Sequence, residues 1–147
     1  MTGFNHGMTG AVIALAIRQP AAAIPLSFIS HYAADYIPHF GLPQHEVLGS
    51  KFNKLLAADF IIGLICLVTI CLLFPSQWPL VLACMAAATS PDLIWWFYRK
   101  TVKAWPAGLD SFTAWHYGVN MKSHVGHWYY DAIWFIGMWL VILIWLR

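Results

Sequence analysis

Four long apolar stretches, divided by short polar connections, limit this chain to very few folds. The clearest run from Leu55 to Phe74, from Trp78 to Tyr98 and from Trp128 to Leu146. Each approaches the ~20 apolar residues that a helix needs to cross the hydrocarbon core of a bilayer. The remaining stretch, Met8 to Ile37, is too long for one crossing and is interrupted by Arg18-Gln19-Pro20. A charge followed by proline breaks a helix, so a hairpin is expected there, with a short, re-entrant first arm and a second arm from about Ala21 to Ile37. The expected fold class is all-α. It is a polytopic membrane helix bundle of about four spans plus the short N-terminal helix, in a single domain, 1–147.

Composition supports this expectation. Only 10% of the 147 residues are charged and the net charge is +2. A soluble domain carries about 25% charged residues, so most of this chain's exterior is expected to face lipid. The same figures exclude a disordered chain and a basic nucleic-acid binder, so the lipid bilayer is the expected partner, with no nucleic acid; a homo-oligomer is compatible with the sequence. Cys66, Cys71 and Cys84 lie in apolar stretches with no C-x-x-C pair and read as small apolar residues. Met1 to Gly10 contains no lysine or arginine, so no cleavable leader is expected.

Lysine and arginine concentrate in cytoplasmic loops. Lys51 and Lys54 precede one span, Arg99, Lys100 and Lys103 follow the next, and Lys122 precedes the last. The intervening Pro75-Ser76-Gln77 is uncharged, so both basic loops are assigned to the cytoplasmic side.

Of six acidic residues, Asp35, Asp59, Asp92 and Asp131 fall inside the apolar segments. A carboxylate in a spanning helix costs several kcal/mol and is a functional-site hypothesis by default. Any one of them has a bland reading, as a protonated acid bonding a neighbouring helix or a group reaching the interface. Their depths argue for more. At about 1.5 Å per residue, Asp59 lies roughly 8 Å in from Lys54 and Asp92 roughly 10 Å in from Arg99, with Asp35 and Asp131 near the ends of their segments. All four map to the basic-loop side. His31, His39, His116, His124 and His127 fall in or beside that layer, and His6 joins it if the first arm turns back at Pro20.

Two spacings stand out. His31-x-x-x-Asp35 and His127-x-x-x-Asp131 each put an imidazole and a carboxylate one turn apart on a helix face, and His124 extends the second set. His39 follows Pro38 and reaches the first set from a turn. Thr89-Ser90-Pro91-Asp92 has two readings: a helix N-terminus capped by Ser90, or a proline kink within a membrane helix.

These residues resemble the small bacterial inner-membrane proteins described as membrane-bound metal-dependent hydrolases, distant relatives of zinc-dependent phospholipase C and the P1-type nucleases. The resemblance rests on His6 in Asn5-His6-Gly7-Met8-Thr9-Gly10, on His31-x-x-x-Asp35 with the following Pro38-His39, on Pro91-Asp92, and on His127-x-x-x-Asp131. The soluble relatives carry an aspartate and a further histidine before the first H-x-x-x-D. Nothing between His6 and His31 fills those places, and Asp59 or Asp92 would stand in.

The expected metal ligands are His6, His31, Asp35, His39, His124, His127 and Asp131. Imidazole and carboxylate without thiolate suit zinc, and also manganese or iron; one to three divalent ions, zinc first, are expected. Asp59 and Asp92 are the expected catalytic carboxylates, accepting a proton from an activated water. Arg99, Lys100 and Lys103 would receive a lipid phosphate, beside their plainer role as topology signals. The leading expectation is a hydrolase of a phosphorylated or ester-linked lipid at the cytoplasmic face of the inner membrane. The alternatives are an ion or proton transporter, which needs polar residues through the full membrane depth, and a structural or partner-binding membrane protein whose His-Asp pairs join helices. The segments Leu64 to Leu73 and Ile136 to Trp145 hold almost nothing polar beyond Thr69, which argues against a continuous transport path.

Overall fold

The computed structural model describes residues 1–41, 49–101, 111, 114–116, 118 and 127–146. They are helical, with no strand among them. In chain order the helices are α1 (Gly3–Ile17), α2 (Pro20–Asp35), α3 (Ser50–Leu73), α4 (Trp78–Thr101) and α5 (Tyr129–Trp145). A further helical stretch carries Ala114, Trp115 and His116.

The hairpin expected at Arg18-Gln19-Pro20 is present, and its cause is local. Arg18 adopts the left-handed conformation at φ 56° and closes α1 by donating its backbone N–H to Ala14 O. Its Nε–H donates to Leu15 O at 3.0 Å, covering a second carbonyl of the last turn. Gln19 is extended, as a residue before proline must be, and Pro20 opens α2 at a position where its missing N–H costs nothing.

Two helices, α3 and Trp78–Phe97 of α4, are long and apolar enough to cross a membrane. At ~36 Å for its 24 residues, α3 exceeds the ~30 Å hydrocarbon core. The other three are shorter, with 15, 16 and 17 residues. Against the expectation of about four spans, two helices among the described residues have the length and apolarity to cross. Proline divides the Met8–Ile37 stretch, and the last helix starts at Tyr129 and stops at Trp145, which leaves about 26 Å.

The short helix α1 occupies the centre and packs against α2, α3, α4 and α5. Small residues make this possible. A Cβ on Gly10 would stand 2.5 Å from Cys84 O, so α1 approaches the α4 backbone as closely as a helix pair allows. Met8, Ala11, Ala14 and Leu15 complete the buried face against Val81, Cys84 and Ile70. The outer helices are apolar on their free faces too. Phe60, Ile61, Ile65 and Leu72 of α3 are more than half exposed, as are Ile133, Ile136, Leu140 and Ile144 of α5.

Candidate metal centre

Three elements meet at one polar cluster. His31 and Asp35 come from the last turn and a half of α2, Asp92 from α4, and His116 from the helical stretch after it. One donor atom from each lies within 4.8 Å of all the others. His31 Nε2 is 3.1 Å from His116 Nε2, 3.4 Å from Asp35 Oδ2 and 3.6 Å from Asp92 Oδ1, and His116 Nε2 is 2.9 Å from Asp35 Oδ2. A tetrahedral ion with bonds of about 2.1 Å has ligand-to-ligand edges of about 3.4 Å. These four edges, from 2.9 to 3.6 Å, scatter around that length, and the two-nitrogen, two-oxygen donor set is the kind divalent zinc, manganese or iron accepts.

The orientation of His31 is fixed from behind. Its Nδ1 lies 2.8 Å from Ala88 O, and a carbonyl can only accept. The ring therefore carries its proton on Nδ1, and when neutral it presents the Nε2 lone pair to the cluster. This backing hydrogen bond is the usual support of a metal-binding imidazole. It belongs to the Pro91 region of α4. Helix α4 runs unbroken through Pro91, so Ser90 is not a helix cap there and the proline lies within a continuous helix. Pro91 has no N–H for Ala87 O, and Ser90 Oγ donates to that carbonyl instead at 2.9 Å.

The far side of both carboxylates faces His6. Its Nε2 is 3.2 Å from Asp35 Oδ1 and 3.9 Å from Asp92 Oδ2, and its ring stacks on His31 with centroids 4.0 Å apart. Each acid thus turns one oxygen to His31 and the other to His6. His6 is fully buried and neither ring nitrogen makes an aligned hydrogen bond within the described residues. The Met1 amino group also reaches Asp35 Oδ1, at 2.8 Å. His6, His31 and Asp35 are fully buried, His116 is 6% exposed, and the Asp92 side chain, at 36%, is the group most open to the outside.

The other candidate residues have different surroundings. Asp131 binds the start of α1. Its Oδ1 accepts from Thr2 N–H at 3.0 Å, Thr2 Oγ1 at 2.8 Å and Asn5 Nδ2 at 3.1 Å, and its Oδ2 accepts from Phe40 N–H at 2.6 Å. Asp59 accepts from Phe4 N–H at 3.0 Å, and a Cβ on Gly3 would stand 2.5 Å from its Oδ2. Two carboxylates from different helices thus satisfy the free N–H groups and positive end of α1. His127 is exposed, precedes the N-cap Trp128 of α5, stacks on Tyr129 at 5.2 Å and is not among the four converging donors. His39 is buried, with Nδ1–H donating to Ile37 O at 2.7 Å, and is not among the four converging donors. His124 and Lys103 lie outside the described residues, and so do the side chains of Arg99 and Lys100.

His116 is the member that spacing alone does not select. Its partners His31 and Asp35 are 85 and 81 residues away, and no ligand-type residue stands one turn from it in the sequence. No protein-family profile, curated protein or solved structure matches the chain.

Proposed function

We propose that this protein is a membrane-embedded, metal-dependent hydrolase. The observation that carries the reading is the convergence of His31, Asp35, Asp92 and His116 within 4.8 Å of one another, at depth in a bundle whose outer faces are apolar. Isolated buried polar groups are costly, and four ionisable side chains gathered with one imidazole held from behind are what a cation site requires.

His31 Nε2, His116 Nε2 and Asp35 would hold the ion, leaving its fourth position to water beside Asp92, with His6 across the two carboxylates. Zinc fits the donor set first. A divalent ion in such a site makes water acidic enough to attack near neutral pH and draws charge from a phosphoryl or acyl oxygen. The chain's own part is to fix the donors and limit water. Asp92, the carboxylate most open to the outside, is the group able to hold a proton released there. The substrate class is a phosphorylated or ester-linked lipid, reached from within the membrane.

The long helices α3 and α4 cross the bilayer in this reading, with the shorter α1, α2 and α5 packed alongside. The basic residues flanking the ends of α3 and α4 nearest Asp59 and Asp92 set the site toward the cytoplasm, in a bacterial inner membrane.

The test is metal content by mass spectrometry of protein purified in detergent, chelator-treated and zinc-reloaded, beside His31→Ala and His116→Ala. Stoichiometric metal in the wild type, lost from both variants, is the expected result. A reloaded wild type without stoichiometric metal ends this proposal.

A further inference from the structure

A cleft of about 660 Å³ opens between α3 and α4, floored by the first turns of α1. Its walls are almost wholly hydrocarbon. Leu56, Phe60 and Leu67 face it from α3, and Leu82, Met85 and Leu93 from α4. Polar groups gather at one end only, where Thr89, Asp92 and His116 line it together with Asp59. Two of these, Asp92 and His116, belong to the cluster described above.

From this placement we propose that the cleft holds the single hydrocarbon chain of a lipid whose phosphorylated head lies at Asp92 and His116. The proposal rests on the metal-dependent reading of the site and names its substrate class. Three properties of the cleft carry it.

Size comes first. The volume lies within the range of small-molecule sites. At roughly 30 Å³ for a group the size of a water molecule, it takes about 20 such groups, enough for one chain of a dozen carbons together with its head. Length agrees. From Leu82 to Asp92 along α4 is about 15 Å, and at about 1.2 Å of advance per bond in an extended chain that accommodates a dozen carbons.

Polarity comes second. A lipid chain in the open bilayer has no need of a pocket, so an apolar cleft is informative when it leads to chemistry. This one runs alongside exposed α3 residues such as Leu64 and ends on two members of the cluster. A lipid entering sideways between α3 and α4 would bring its head to Asp92 without leaving the hydrocarbon.

Charge comes third and makes the proposal conditional. Asp59 and Asp92 would repel a phosphate, so the head is held there only with a divalent cation on the cluster. Metal removal should abolish the preference for the phosphate while leaving the chain's apolar contacts intact.

The experiment uses the whole protein in nanodiscs of phosphatidylcholine. The probes are a dodecyl phosphate with a diazirine midway along its chain and the same chain without the phosphate. Labelled peptides are mapped by mass spectrometry, with metal content measured on the same samples. Labelling should concentrate on Leu56–Leu67 and Leu82–Leu93, with the phosphate probe favoured about tenfold, the worth of one good ionic contact. Ala86→Trp, which fills the cleft from α4, and Gly63→Leu, which fills it from α3, should each reduce this labelling about tenfold and leave metal content unchanged; the second serves if the first does not fold.

Labelling spread equally over α3 and the exposed face of α5, and indifferent to both fillings, would overturn the proposal even in a protein full of metal. Equal labelling by both probes in metal-loaded protein would overturn the assignment of the head. Cleft labelling that survives in a wild type unable to bind metal would support the chain site and remove the hydrolase reading, so the two failures are separable.

Discussion

His31 and Ala88 are joined across the α2–α4 interface by a 2.8 Å hydrogen bond from imidazole Nδ1–H to carbonyl oxygen. That bond aims Nε2 at Asp35, Asp92 and His116, and it ties ligand geometry to the packing of two helices. Removing the ring should therefore cost metal directly. His31→Ala and His116→Ala are each expected to weaken zinc binding at least 100-fold, at the upper end of what ligand-shell changes produce. His127→Ala, which alters an exposed ring stacked on Tyr129, should stay within about twofold. Competition against a chromogenic chelator measures all three.

Asp131→Asn should damage folding and spare the metal. Both carboxylate oxygens accept from N–H groups, so an amide placed either way turns its own NH₂ toward a donor. A loss of about 2–4 kcal/mol is expected, from the range for charged hydrogen bonds and unsatisfied buried groups. Thermal unfolding in detergent would show it, and the folded fraction should retain wild-type metal content.

Gly10→Ala should be destabilising by about 1–3 kcal/mol, the cost of overpacking a core. The new methyl would stand 2.5 Å from the Cys84 carbonyl oxygen, a backbone atom that moves only if α1 and α4 separate. Gly137→Ala is the control, with nothing within 4 Å of the added carbon and a gain in helix propensity. Equal effects of the two substitutions on thermal stability would contradict the close approach of α1 to α4.

Chelation should lower stability reversibly. A ligand at 100 times its Kd stabilises by about 2.7 kcal/mol, so zinc added to stripped wild type should raise the unfolding midpoint by several degrees. In His116→Ala the same addition should leave it unmoved.

The parts of this molecule that were readable in the sequence are those that depend on neighbours in the chain. Arg18-Gln19-Pro20 ends one helix and starts another through backbone geometry within three residues. His31 and Asp35 share a helix face because four residues make about one turn. The same spacing at His127 and Asp131 does not bring them into the cluster, because Asp131 turns both oxygens to Thr2, Asn5 and Phe40 while the exposed His127 stacks on Tyr129. Asp59 and Asp131 show another limit. Their partners include the backbone N–H groups of Phe4, Thr2 and Phe40, and an N–H group has no signature in a list of side chains. His116 joins the cluster through contacts more than 80 residues away, set by how helices pack and not by local spacing.

The central position of α1 has a consequence for biosynthesis. This helix emerges from the ribosome before the elements packed around it, and the carboxylate that binds Thr2 and Asn5 belongs to α5, which follows the other described helices in the chain. Its final seat does not exist until translation has passed Asp131. Until then Thr2 and Asn5 have no Asp131 carboxylate to donate to. A chain stopped short of α5 would still hold His31, Asp35, Asp92 and His116, and would leave α1, which carries His6 to them, without one of its two carboxylate anchors.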